Sequence, residues 1–210
     1  MKKSAYEDRV RCCINKRAFM KIGIIDCGGA NLNSIYYSFK RLGINAIISN
    51  CINELSQMNA YVLPGVGSAD VVMNTLRKKD LINFIKDTHK PILGICIGMQ
   101  ILFDYSEENG TKCLGLIDGN IKKFDVNDGI NVPQMGWNKV ECKDDLSLNG
   151  HYYFANSYFN QDSEFTIGYS LYGNKFSSII KKDNILGCQF HPEKSSIAGE
   201  KFLTNFIKTI

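Results

Sequence analysis

The chain has 210 residues, 25 Lys and Arg against 21 Asp and Glu, and a net charge of +4, an ordinary composition for a globular protein with a substantial core. No basic stripe interleaved with aromatics points to nucleic acid, and no apolar run approaches the ~20 residues needed to cross a bilayer. The 8 cysteines, none in C-x-x-C spacing, read as free thiols of a reducing cytoplasm rather than disulfides or a zinc site, so no metal is expected.

Residues 1–20 are charged and lack the apolar stretch of a secretory signal. They are expected to be a loose or non-native N-terminal extension ahead of a domain spanning 21–210. In chain order, Lys21–Asp26 is predicted as a strand, Leu32–Leu42 as a helix ended by Gly43, and Ile44–Ser49 and Ala60–Leu63 as strands. Ala69–Lys78 and Leu81–Asp87 follow as helices, then strand Pro91–Ile95 and helix Gly98–Phe103. This alternation predicts an α/β fold with a mainly parallel central sheet and helices on both faces. The second half changes character: Gly119–Phe124, Asn138–Cys142, Tyr152–Ser157, Phe165–Leu171, Ser177–Lys181 and Ile185–Phe190 are strand-like, before a closing helix Ala198–Ile207. With no linker or internal repeat, the expectation is one domain whose second half adds antiparallel strands.

Cys96 stands out. It sits in Gly94-Ile95-Cys96-Ile97-Gly98, on a sharp turn between the strand Pro91–Ile95 and the helix that follows. This is the nucleophile-elbow pattern with sulfur in place of oxygen, the glycines being expected to keep side chains away from a substrate. A thiol of pKa about 8.5 is only a few per cent ionised at neutral pH. Lowering that value by roughly 2 units takes about 2.7 kcal/mol, and a helix terminus supplies about 1, so a histidine must assist. A free cysteine is more often a small core residue; the flanking glycines and Gln100 argue against that here.

Of the three histidines, His89 ends a polar helix tail and His151 opens an aromatic run at a strand edge or turn. His191 instead follows the apolar strand, in Gln189-Phe190-His191-Pro192-Glu193, at a strand's C-terminal end, where open α/β sheets collect active-site groups. In an extended stretch Glu193 would project to the same side as His191, with Pro192 stiffening the pair. Such a carboxylate orients the imidazole and stabilises its charged form. Alone, a His-Glu pair at a turn is more often structural; with the elbow, Cys96-His191-Glu193 reads as a triad. Pro64-Gly65-Val66-Gly67, directly after a strand, could be an ordinary turn or could turn backbone N–H groups inward as an oxyanion hole, with the N–H of Ile97 as second donor.

Together these elements resemble the triad, or class I, glutamine amidotransferases, and most closely their branch serving imidazole glycerol phosphate synthase in histidine biosynthesis. The likeness runs from Lys21 to the C-terminus. It takes in Pro64-Gly65-Val66-Gly67, the elbow through Gln100, Val132-Pro133-Gln134-Met135-Gly136-Trp137-Asn138, Asn156-Ser157-Tyr158 and His191-Pro192-Glu193-Lys194-Ser195-Ser196. The resemblance implies a flavodoxin-like domain that hydrolyses L-glutamine to glutamate and ammonia without a cofactor. It implies Cys96 as nucleophile, His191 as base then acid, and Glu193 as its orienting group. Gly65, Val66 and Ile97 would shape the oxyanion site, and Gln100 and Glu108 would hold glutamine's polar end with backbone around Ser157 and Tyr158. Asn31, Trp137, Tyr153 and Lys194 would lie towards a partner. That partner would be a (β/α)8-barrel cyclase in a heterodimer, using the ammonia to make imidazole glycerol phosphate and aminoimidazole carboxamide ribotide.

The chain departs from that branch at Cys27-Gly28-Gly29-Ala30-Asn31, where an aromatic and Gly-Met-Gly-Asn are usual, and at Gln134 and Asn156, where histidines are usual. These positions bear on the partner rather than on hydrolysis. A paralogue supplying ammonia to a sugar amidotransferase of surface-glycan biosynthesis is the alternative. A non-catalytic binding module on the same fold is a third reading, against which the intact triad argues.

Overall fold

The computed structural model of the chain describes residues 20–28, 31–65, 67–143 and 145–210. The expected N-terminal extension lies outside them, apart from Met20. Strands β1 (Lys21–Ile25), β2 (Asn45–Ser49), β3 (Ala60–Leu63) and β4 (Ile92–Ile95) are short and apolar. Every residue of β3 and β4 is buried, as expected of parallel strands covered on both faces. Between them run helices α1 (Leu32–Arg41), α2 (Ile52–Leu55), α3 (Ala69–Lys78) and α4 (Leu81–Lys86). Helix α3 buries Ala69, Val72, Met73 and Leu76, the i, i+3, i+4, i+7 stripe of a helix laid on a core, and ends in Arg77 and Lys78, which complement its dipole.

After β4 comes a single turn, α5 (Ile97–Gln100), then β5 (Tyr105–Ser106), β6 (Thr111–Lys112), β7 (Asn120–Lys123), β8 (Gln134–Cys142), β9 (Gly150–Asn156), β10 (Tyr158–Phe159), β11 (Thr166–Tyr172), β12 (Asn174–Lys182) and β13 (Ile185–Cys188), before α6 (Ser196–Ile207). Nine strands form one sheet in the order β2-β1-β3-β4-β13-β12-β11-β8-β9, and β10-β7-β5-β6 form a second. β2, β1, β3, β4 and β13 are parallel; β12, β11, β8 and β9 join antiparallel. The parallel part thus has the flavodoxin-like order, with the antiparallel strands threaded in before its fifth member. β9 and β11 alternate buried and less buried residues, the mark of strands with one face on the core.

The register of β13 on β4 positions the site. Ile185 pairs with Ile92 and Cys188 with Ile95, so both strands end level and the segments after them, starting at Cys96 and Gln189, emerge side by side. An aromatic cluster stabilises this arrangement. Phe190 stacks on Tyr152 at 3.9 Å between ring centroids and meets Phe154 and Phe202 edge-on; all four rings are buried, each contributing about 2–3 kcal/mol.

Several elements differ from expectation. The helix after the elbow ends at Gln100, where Gly98–Phe103 was expected. β8 begins at Gln134 rather than Asn138, so Gln134-Met135-Gly136-Trp137 is strand. The two-residue strands β5, β6 and β10 and the four-residue helix α2 are too short to carry periodicity.

Candidate active site

Cys96 is held at φ 51°, ψ −109°, a backbone conformation costly for a side-chain-bearing residue, of the kind concentrated at active sites. The flanking glycines are required by close main-chain packing. A Cβ on Gly98 would lie 2.0 Å from the Leu63 carbonyl oxygen, and one on Gly94 2.7 Å from that of Gly98. A Cβ on Gly65 would sit 2.1 Å from the Ile95 carbonyl. The ends of β3 and β4 are therefore packed backbone against backbone, and this contact makes the turn. Gly98→Ala is expected to destabilise the chain by about 3 kcal/mol or more, since the obstacle is main chain rather than a movable side chain. Urea denaturation checks this; a loss below about 1 kcal/mol would mean that the Leu63 peptide can shift. The elbow is also tied to the next strand by the Cys96 N–H, which donates to the Cys188 carbonyl at 2.7 Å. Since α5 is one turn long, it offers less of a dipole at Cys96 than the longer helix expected from the sequence.

His191 is buried, 6% exposed. Its Nδ1 lies 2.9 Å from Glu193 Oε1, and it lines the same cavity as Cys96. With Nδ1–H donated to the carboxylate, Nε2 is left for the sulfur. Pro192–Lys194 form a 3-10 turn, so the extended geometry expected for this segment is absent; the turn rather than strand alternation brings Glu193 under the ring. Burial works to lower the His191 pKa, but the charge and hydrogen bond of Cys96, then those of Glu193, outweigh it and push it up to about 10. The imidazole is thereby held protonated at neutral pH. Burial is the largest cause at other thiols: it pushes Cys27 up to about 12, with Asp26 adding to it, and, with smaller effects of nearby charges, Cys113 and Cys142 up to about 11. The six described cysteines are free.

A cavity of about 380 Å³ opens over this pair. Asn31, Gly65, Ile97, Gln100, Glu108, Ser157, Tyr158 and Lys194 all line it, so most of the expected site residues converge although they come from six separate segments. Val66, the expected oxyanion donor, lies outside the described residues, as does Ala30. Glu108 Oε2 accepts from the Ala69 N–H at 2.7 Å, capping α3 as well as facing the cavity, and burial holds its carboxyl above the usual range against that bond. The Ser157 carbonyl accepts from Phe124, and the Tyr158 carbonyl from Gln100 and Asn156. Asn31, expected towards a partner, also donates to Glu193 Oε1 at 3.4 Å. Trp137 is 55% exposed and faces Tyr153 across β8 and β9, and Lys194 Nζ lies 5.7 Å from the Tyr153 ring centre. These three form a surface at the cavity's rim. Gln134 and Asn156, both atypical, are direct cross-strand neighbours; both are buried, and neither side-chain oxygen has a partner among the described residues. A larger cavity, about 610 Å³, lies at the other ends of β4 and β13, beside Pro91, Ile185 and Phe206, and is lined by none of Cys96, His191 and Glu193.

Two contributors escaped the sequence reading. Ser195, fully buried, accepts from the Tyr153 N–H at 2.9 Å and donates to the His191 carbonyl at 2.6 Å, while the His191 N–H donates to the Tyr153 carbonyl at 2.8 Å. The histidine backbone is thus fastened to β9. Gln189, also fully buried, places Nε2 3.6 Å from Cys96 Sγ. A polar side chain at the end of a buried strand was the signal available for it.

Residues 23–210 match the family model described as Glutamine amidotransferase class-I. The chain is 47% identical over 194 residues to a protein of Campylobacter jejuni strain RM1221 named imidazole glycerol phosphate synthase subunit HisH 2, covering 91% of this chain and 100% of that one. It is 40% identical over 197 residues to the HisH subunit of Haemophilus influenzae strain Rd, covering 91% and 98%. Among solved structures it is similar in fold to a glutamine amidotransferase, with a TM-score of 0.72 at 15% identity over 90% of this chain and 97% of the other. It is also similar to PurLQS from Thermotoga maritima, with a TM-score of 0.68 at 15% identity over 90% and 98%.

Proposed function

Because the chain belongs to the class I glutamine amidotransferase family, we propose that it is the glutaminase subunit of an imidazole glycerol phosphate synthase, with Cys96, His191 and Glu193 as its catalytic triad. The observation that carries the triad is a strained Cys96 sharing one cavity with a buried histidine whose Nδ1 lies 2.9 Å from a buried carboxylate. Cys96 thiolate attacks the side-chain amide carbon of glutamine, and the oxyanion forms against the Ile97 N–H and the loop after Gly65. His191 gives its proton to the departing ammonia as the C–N bond breaks, leaving a thioester. Neutral His191 then takes a proton from water, which attacks the thioester and releases glutamate, restoring the thiolate and imidazolium. Gln100 and Glu108 hold the amino-acid end of glutamine; Gln100 Oε1 has no donor among the described residues, as suits an acceptor kept for a ligand.

Ammonia leaves towards a cyclase of (β/α)8-barrel type docked on the rim formed by Trp137, Tyr153 and Lys194. Gln134 and Asn156 favour a second destination, a sugar amidotransferase, because buried amides there replace the histidines usual in the histidine branch. Growth of a histidine auxotroph lacking its glutaminase subunit separates the two. Rescue by this chain supports the cyclase; no rescue, with glutamine hydrolysis intact beside another synthase, rejects it.

A further inference from the structure

The triad chemistry leaves Gln189 without a role, yet its amide lies between the nucleophile and a chain of other amides. Gln100 Nε2 donates both to the Tyr158 carbonyl at 2.8 Å and to Gln189 Oε1 at 3.0 Å. Gln189 Nε2 in turn lies 3.6 Å from Cys96 Sγ. The polarity of this chain is dictated from its far end. A backbone carbonyl only accepts, so Gln100 must turn its NH2 to Tyr158. The second hydrogen of that NH2 meets Gln189, whose oxygen must therefore face Gln100. Reversing Gln189 would set two NH2 groups against each other. Gln189 is thus obliged to direct an N–H at the sulfur, and its own backbone is anchored by donation to the Ser178 carbonyl at 2.9 Å.

An N–H donor stabilises S⁻ more than S–H. The sulfur also lies 3.9 Å from the Ala155 carbonyl, which accepts from a thiol and disfavours a thiolate, so the amide of Gln189 opposes that carbonyl. We propose that Gln189 is a thiolate-supporting residue, its N–H fixed on Cys96 Sγ by the Tyr158–Gln100 relay so that the nucleophile is ionised before glutamine arrives. The inference rests on the reading of Cys96 as nucleophile. The other ionisable groups about the sulfur are His191 with Glu193 behind it, the buried Cys188 thiol, and Glu108 and Lys194 lining the cavity. All remain in place when Gln189 alone is changed.

The test is the pH dependence of Cys96 alkylation by iodoacetamide in the full chain, read by peptide mass spectrometry, with exposed Cys51 as internal reference. In Gln189→Met, which keeps the volume and loses the donor, the labelling midpoint of Cys96 rises by about 1 pH unit. In Gln189→Glu, which still accepts from Gln100 but sets a carboxylate against the sulfur, it rises at least as far. Should Gln189→Met lack a cooperative thermal transition, Gln189→Glu decides alone. Profiles that superimpose on the wild type overturn the proposal. A wild-type Cys96 that does not label at any pH overturns the nucleophile reading itself, and this inference with it.

Discussion

Cys96→Ala is expected to lower glutamine hydrolysis by about 10⁴-fold or more, while the synthase complex assembled with the variant keeps its turnover on added ammonium. The size follows from the chemistry: without a sulfur there is no thioester, and what remains is water attack helped by the oxyanion donors. The change should be structurally mild. The side chain is small and buried, and the turn around it is set by backbone contacts of Gly94 and Gly98 with neighbouring main chain. Retained ammonia-dependent turnover therefore distinguishes a lost nucleophile from a lost fold. Hydrolysis within about tenfold of wild type would sink the triad assignment.

Glu193→Gln is expected to cost about 10²-fold or more in kcat with little change in KM for glutamine, as measured by glutamate release. Asn31 donates to Glu193 Oε1, so the oxygen of the new amide should stay beside His191 Nδ1 and the tautomer be retained. What is lost is the negative charge, on a side chain only 1% exposed, that supports the imidazolium. Stability provides an independent readout. The folded His191 pKa, about 10, lies above its ordinary 6.5, so the stability it contributes is full below pH 6.5 and is lost as pH rises through about 10. Glu193 supplies part of that shift. The variant should therefore be destabilised most at about pH 6.5 and below, and the gap to wild type should narrow towards pH 10 in urea titrations at several pH values. A gap that does not change with pH would show Glu193 to be a packing group only.

The local elements were legible because their causes are local. Glycine two residues either side of Cys96 signalled the elbow, and the helical stripe of Ala69, Val72, Met73 and Leu76 follows from spacing alone. His191 beside Glu193 is a two-residue relationship, and it held even though a 3-10 turn replaced the predicted extended stretch. The short strands β5, β6 and β10, which build the second sheet, were invisible because two residues carry no period. Glu108 was legible as a cavity residue but not as the cap of α3, a bond spanning 39 residues of sequence.

By itself the sequence determined the glycine-flanked turn at Cys96, the pairing of His191 with Glu193 and the alternation of strand and helix, because apolar run length, glycine spacing and turn chemistry act within a few residues. The tertiary structure alone decided that β13 lies beside β4, in a register that ends both strands level. From that one pairing come the meeting of His191 and Cys96 at one cavity, the amide relay through Gln100 and Gln189, and the fastening of His191 to β9 by Ser195. Strand neighbours are selected by the burial of whole faces and the closing of distant hydrogen bonds, and no stretch of chain expresses that choice alone.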